Sequence, residues 1–219
     1  MELVVVDYDA GNIRSVAKAI EHVGVKPVVT ADIPTILAAD GVIVPGVGAA
    51  GDIMRSLKRL DLHRVIREVI DRGTPFLGVC MGLQVLLTSS DEDNGQACLD
   101  IFPGTVRRFG LGLKVPHMGW NQVRFVHDHP LFAGIPDNSH FYFVHSYYAD
   151  PEDRAIVAGE TDYGHPFASV VIQGNVMATQ FHPEKSAQDG LRLYRNFSRI
   201  VRDGLPEAAL TTAAVGAAF

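Results

Sequence analysis

The stretch Thr74-Pro-Phe-Leu-Gly-Val-Cys80-Met-Gly-Leu-Gln84 decides how the rest of the chain is read. Phe76 to Val79 is an apolar run of strand length, and Met81 to Leu87 reads as the helix that follows, which puts Cys80 at the junction. A nucleophile held at a sharp strand-to-helix turn projects its reactive atom from the carboxyl end of a sheet. Gly78 and Gly82 flank the cysteine two positions away on either side, where a side chain would collide with neighbouring elements. The start of the helix favours an anionic sulfur, and the Met81 amide points at the same place, suited to bind an oxyanion. A strand-terminal cysteine taken alone reads as a buried core residue. The G-x-C-x-G frame argues for chemistry instead. Cys98 has no such frame and reads as structural.

Working outward, the first half alternates short apolar runs with amphipathic ones. Leu3 to Val6, Lys26 to Thr30 and Gly41 to Val44 read as strands, and Asn12 to His22 and Ile33 to Ala39 as helices. Asp61 to Asp71 is a helix with Leu62, Val65, Ile66, Val69 and Ile70 on one face. This alternation is the pattern of an open, mostly parallel sheet flanked by helices, an α/β fold. The second half changes character. Asp100 to Phe109, Lys114 to Val126, Ser139 to Val144, Arg154 to Glu160, Ala168 to Ile172 and Val176 to Thr179 read as strands with short, mostly antiparallel connections. Ala187 to Arg202 reads as a closing helix. One domain over residues 1–203 is expected, with 204–219 as a partly disordered tail rich in alanine and threonine.

The 219 residues carry a net charge of −6, so no basic face for nucleic acid is expected. No apolar run approaches the ~20 residues of a membrane span. Two cysteines do not make a disulfide framework, and no secretion signal is visible, so a reducing cytoplasmic setting is expected.

A cysteine nucleophile needs a base, and the base an orienter. Phe181-His-Pro-Glu184 offers both: Pro183 biases His182 towards extended backbone, where side chains two apart point the same way, so Glu184 can reach the imidazole. No histidines show zinc-ligand spacing, and neither a metal nor a cofactor is expected. Gly46-Val-Gly-Ala-Ala-Gly51 matches a dinucleotide-binding pattern, but it follows the third strand, and the next strand ends in Cys80 rather than an acidic residue for a ribose. Its amides, at Val47 or Gly48, serve better as a second oxyanion donor.

With these motifs in hand, the chain resembles the class I (triad) glutamine amidotransferases, whose fold is flavodoxin-like. Six segments occur in order: Asp7-Tyr-Asp-Ala-Gly-Asn-Ile-Arg-Ser-Val16, Pro45-Gly-Val-Gly48, Gly78-Val-Cys-Met-Gly-Leu-Gln84, Pro116-His-Met-Gly-Trp-Asn121, Phe141-Tyr-Phe-Val-His-Ser-Tyr147 and Gln180-Phe-His-Pro-Glu-Lys-Ser186. Within that family the fourth and fifth resemble the glutaminase subunits of imidazole glycerol phosphate synthases, from histidine biosynthesis. The resemblance, over residues 2–202, implies Cys80 as nucleophile, His182 as general base and acid, and Glu184 as orienter. It implies a glutamine pocket formed by Gln84 and the backbone of Gly46, Gly48, His145, Ser146 and Tyr147. Asn12, Trp120, Tyr142 and Lys185 match positions near a docking face or ammonia exit. The implied partner is a (β/α)₈ cyclase subunit, in a heterodimer. A stand-alone cysteine hydrolase acting on γ-glutamyl substrates is the rival reading. Two departures from the family pattern stand out, at Asp9-Ala10 and at Asn94-Gly-Gln-Ala-Cys-Leu-Asp-Ile-Phe-Pro103.

Overall fold

Three fully buried strands, β1 (Leu3–Val6), β3 (Gly41–Gly46) and β4 (Phe76–Cys80), form the centre of the fold in the computed structural model, which describes residues 1–9 and 11–206. They are apolar without interruption because both sheet faces are covered, as parallel strands require. β2 (Val28–Thr30) pairs with β1 at the edge, and all these pairings are parallel, in the order β2-β1-β3-β4. The chain returns at its end to add β13 (Val176–Thr179), parallel to β4 on its other side.

Helices cover both faces. α1 (Ile13–His22) buries Ile13, Val16, Ala19 and Ile20 and packs against α6 (Ala187–Asp203). α4 (Leu62–Asp71) packs against α2 (Ile33–Ala38) and α3 (Ala50–Arg59). Right-handed crossovers require this division, because the chain steps from β1 outward to β2 and then back across to β3. α3 has no counterpart in the sequence reading. Its buried Ile53, Met54 and Leu57 have helical spacing, but the preceding glycines hide the start.

The second half is largely antiparallel. β12 (Pro166–Gln173) pairs with β13 and with β10 (Tyr147–Pro151), which continues to β7 (Phe102–Arg108). β8 (His117–Phe125) and β9 (Ser139–His145) form a hairpin joined to this sheet through β11 (Val157–Asp162).

Two expected elements are corrected. The helix after Cys80 is a single turn, α5 (Met81–Gln84), not a helix to Leu87. The Val85 and Leu86 carbonyls instead accept N–H bonds from Leu99, Ile101 and Phe102 at 2.8–2.9 Å. Leu87–Ser90 is strand β5, parallel to β7, and its Thr88, Ser89 and Ser90 hydroxyls compete with helical hydrogen bonds. Arg154–Ile156 is a 3₁₀ turn rather than strand, because the Asp153 carboxylate caps it by accepting from Ala155 N–H at 2.9 Å.

The first departure falls in a turn and the second at a short edge strand. Asp9 takes the left-handed conformation (φ 72°) that suits glycine, and its N–H donates to the Asp7 carboxylate at 3.1 Å; Ala10 lies outside the described residues. The second forms the short strand β6 (Gln96–Ala97) at the far sheet edge. α6 ends at Asp203; of the tail expected over residues 204–219 to be partly disordered, 207–219 lie outside the described residues.

Candidate active site

Cys80 lies at the carboxyl end of the central sheet, with Gly46 opposite it on β3 and Gln180 directly following β13. Open α/β sheets place their ligand crevices at this end. Its backbone is strained, at φ 55° and ψ −105°. Such a conformation costs about 1–3 kcal/mol and persists only where the surroundings impose it. Here they do. A Cβ on Gly82 would sit 2.1 Å from the Val44 carbonyl oxygen, and one on Gly78 would sit 2.6 Å from the Gly82 oxygen. The elbow closes only because both positions are bare.

Phe181-His-Pro-Glu continues from β13. The His182 backbone is extended (φ −101°, ψ 98°), as Pro183 requires, but Pro183–Lys185 then form a 3₁₀ turn. Glu184 reaches the imidazole through that turn rather than along an extended chain. His182 Nδ1 and Glu184 Oε1 are 2.7 Å apart, both side chains buried. The His182 backbone is clamped in turn: its N–H donates to the Tyr142 carbonyl at 2.9 Å, and its carbonyl accepts from the Ser186 hydroxyl at 2.6 Å.

Glu184 is held from three sides. Besides His182, the Asn12 amide donates to Oε1, and the Tyr194 hydroxyl donates to Oε2 at 3.2 Å. Burial alone would raise the Glu184 pKa; the hydrogen bond and charge of His182, with Asn12, outweigh it and hold the carboxyl below its usual range. Burial alone would disfavour a charged His182, but Cys80 and Glu184 outweigh that and raise its pKa to about 10. The free imidazole nitrogen, Nε2, is near enough to Cys80 for their charges to interact, yet makes no hydrogen bond of ordinary geometry among the described residues. Catalytic hydrogen bonds often tighten only when substrate arrives.

Cys80 and His182 share a pocket of about 330 Å³ with Val47, Gly48, Met81, Gln84, His145, Ser146 and Tyr147. The structure thus brings together the nucleophile, the base and every residue the sequence assigned to oxyanion or glutamine binding except Gly46. Gly46 stands behind the pocket: a Cβ there would meet the Met81 Cβ at 2.6 Å and the Tyr8 hydroxyl at 2.8 Å. Tyr8 is buried, its hydroxyl donates to the Pro45 carbonyl, and burial followed by the nearby Cys80 charge pushes its pKa upward. It holds the start of the glycine loop. Glu92, Pro116 and Val144 also line the pocket and were missed. Glu92 explains the decoy motif: its Oε2 accepts from Ala50 N–H at 2.7 Å. The helix start that would hold a pyrophosphate already holds a carboxylate.

The four residues assigned to docking separate into two groups. Asn12 lies against Glu184, inside the catalytic constellation. Trp120, Tyr142 and Lys185 form an outer cluster, with Trp120 53% exposed, its ring 6.1 Å from Tyr142, and Lys185 Nζ 5.8 Å from the Tyr142 ring centre. Met118, 61% exposed, stands beside them opposite Val144 on the hairpin, so this apolar face begins at the pocket rim. Among the described residues no group of three or more His, Cys, Asp or Glu could hold a metal ion, and no helix is long and apolar enough to cross a membrane.

Residues 4–200 match the family model for glutamine amidotransferase class-I. The chain is 50% identical over 200 residues to the imidazole glycerol phosphate synthase subunit HisH of Moorella thermoacetica, covering 91% of this chain and 95% of that one. It is 51% identical over 201 residues to the HisH subunit of Nitrosococcus oceani, covering 89% and 95%. Among solved structures, PurLQS from Thermotoga maritima superimposes with a TM-score of 0.73 at 17% identity, covering 91% of this chain and 98% of that one. A structure described as a glutamine amidotransferase gives a TM-score of 0.72 at 20% identity, covering 91% and 98%. These two show the fold; the closer sequences narrow the relationship. The chain belongs to the class I glutamine amidotransferase family and, within it, to the HisH subunits of imidazole glycerol phosphate synthase.

Proposed function

We propose that the chain hydrolyses glutamine to glutamate and ammonia at Cys80 and passes the ammonia to a cyclase subunit, which makes imidazole glycerol phosphate and aminoimidazole carboxamide ribonucleotide. The single observation that carries the chemistry is the meeting of Cys80 and His182 in one small pocket with Glu184 locked on Nδ1 behind. Glutamine's carboxamide carbon would lie against the sulfur. Sγ attacks it as the thiolate, and the carbonyl oxygen takes the negative charge. The Met81 amide and an amide at Val47 or Gly48, residues that line the pocket, would receive that oxyanion. The protonated His182 gives its Nε2 proton to the departing nitrogen, releasing ammonia and leaving a γ-glutamyl thioester. His182, now neutral, takes a proton from water as that water attacks the thioester, releasing glutamate and restoring the thiolate–imidazolium pair. Glu184 holds the imidazole in one orientation throughout.

Ammonia that escapes to water is protonated and lost as a nucleophile, so a docked acceptor follows. The Met118–Trp120–Tyr142–Val144 face at the pocket rim supports a heterodimer with a (β/α)₈ cyclase, Trp120, Tyr142 and Lys185 lying along the exit and Asn12 behind the triad. On this reading the catalytic domain spans residues 1–203, and a reducing cytoplasm suits a chain that works through a free thiol. The test is glutamate release with and without the cyclase and its nucleotide ligand, for the native chain and Cys80→Ala. Activity confined to the complex and absent from the variant supports the reading. Strong activity from the isolated chain would instead identify a free-standing γ-glutamyl hydrolase, and Cys80-independent turnover would overturn both.

A further inference from the structure

A buried glutamine outside the triad also touches the nucleophile. Gln180 is fully buried, and its Nε2 lies 3.7 Å from Cys80 Sγ while its Oε1 lies 3.0 Å from Gln84 Nε2. Which end of each amide points where follows from partner chemistry. The Tyr147 carbonyl can only accept, so the Gln84 group 2.7 Å from it is the NH₂. That same NH₂ faces Gln180, so Gln180 must present its oxygen there. The remaining end of Gln180, at the sulfur, is therefore its NH₂, a donor. Gln84 Oε1 is left buried and without a partner among the described residues, in a side chain that lines the pocket.

The chain of donors extends the other way. His145 Nδ1 lies 2.8 Å from the same Tyr147 carbonyl and so carries a proton; its Nε2 is then an acceptor and takes the His117 Nδ1 proton at 3.0 Å. His117 Nε2 in turn accepts from the Asn121 amide at 3.2 Å. Both imidazoles are neutral: burial holds His145 near pKa 3 and His117 near 4. Every hydrogen bond from β8 to Gln180 thus has one permitted direction, and Gln180 is the last member before the sulfur.

We propose that Gln180 is a positioning residue with two tasks: its NH₂ donates to the Cys80 thiolate, and its carbonyl fixes the Gln84 amide so that Gln84 Oε1 is the acceptor offered to the substrate. No atom of Gln180 forms or breaks a bond in the reaction. The inference rests on Cys80 being the nucleophile.

The test uses the chain in complex with its cyclase and two substitutions. Gln180→Met keeps the bulk and removes both hydrogen bonds. Gln180→Glu keeps an acceptor for Gln84, but the new carboxylate ionises before the thiol and sets a like charge beside it. The readouts are the pH profile of Cys80 alkylation by iodoacetamide, and KM and kcat for glutamine. Both variants should move the alkylation midpoint upward, Gln180→Glu further than Gln180→Met, with kcat down about ten- to hundredfold. KM should rise about tenfold in Gln180→Met only, with Gln180→Glu restoring it to within about threefold of native. An unmoved alkylation profile, or a KM equal in all three proteins, overturns the proposal. Cys80→Ala run alongside separates that failure from a failure of the nucleophile assignment. If neither variant folds, the Gln180 side-chain NH₂ in the ¹⁵N-labelled native protein should shift with the midpoint of Cys80 alkylation, and a resonance blind to that ionisation overturns the proposal equally.

Discussion

Replacing Glu184 by glutamine tests the triad where its geometry makes an unusual demand. The carboxylate receives His182 Nδ1 and Asn12 Nδ2 on Oε1, and the Tyr194 hydroxyl on Oε2. A glutamine side chain has one carbonyl oxygen and one NH₂. With the NH₂ at the Oε1 position it would face two donors, so the carbonyl takes that position. The NH₂ then turns to the Tyr194 hydroxyl, which can accept. The His182 tautomer is preserved and only the charge is lost. A charge-assisted hydrogen bond contributes about 1.5–3 kcal/mol and a neutral one about 1, so the loss is about 0.5–2 kcal/mol. At about 1.4 kcal/mol per decade, kcat/KM for glutamine falls about two- to thirtyfold. Glu184→Ala removes the acceptor and leaves its three donors, on His182, Asn12 and Tyr194, without it, which costs a further ~1–3 kcal/mol. Asn12→Ala added to Glu184→Gln frees the amide to flip and should deepen that loss about tenfold. The assay is glutamate release by the complex with its cyclase, with the thermal transition followed as a control for folding. A Glu184→Gln defect as deep as that of Glu184→Ala, or no added loss from Asn12→Ala, would refute the argument that Asn12 and Tyr194 set the orientation of this group.

Stability should depend on pH in both directions. The buried His145, with His117 and His129, has its folded pKa depressed by burial, so the unfolded chain binds more protons below pH 6.5 and stability falls as pH drops from about 6.5 towards 4. Glu184, also depressed, contributes stability that is present above its unfolded value near 4.5 and lost as pH falls below it. His182, raised, contributes stability that is complete below pH 6.5 and lost as pH rises through about 10. Denaturant unfolding at pH 4, 7.5 and 10 should therefore show its highest midpoint at 7.5. Gly82→Ala drives a Cβ into the Val44 carbonyl, backbone against backbone, and should lower the unfolding free energy by more than ~3 kcal/mol in the same experiment. Trp120→Ala should weaken cyclase binding about thirtyfold by titration calorimetry, while turnover at saturating cyclase stays within a few-fold of native.

Much of the fold was legible because its driving patterns are local. β1, β3 and β4 are short continuous apolar runs, and α4 carries its apolar residues three and four apart, so each element declares itself within its own window. The elbow was legible for a related reason: Gly78, Cys80 and Gly82 stand two apart, and only a sharp turn needs both glycines. The start of α3 and the early end of α5 were not legible. α3 begins inside a glycine-rich run whose helical start is set by a bond to Glu92, forty-two residues away. α5 stops because Leu99, Ile101 and Phe102 claim the carbonyls that would have continued it.

The sequence by itself determined the chemical groups: one framed cysteine, one histidine tied to a glutamate by a proline, and the parallel core that brings their strands together. Only the tertiary structure decided how those groups are held. Asn12 and Tyr194 reach Glu184 across gaps of 172 and 10 residues, and Gln180 reaches Cys80 across 100. No periodicity encodes such contacts, because they arise where separate strands and helices meet at the carboxyl end of the sheet, and the directions of their hydrogen bonds follow from the partners each amide and imidazole finds there.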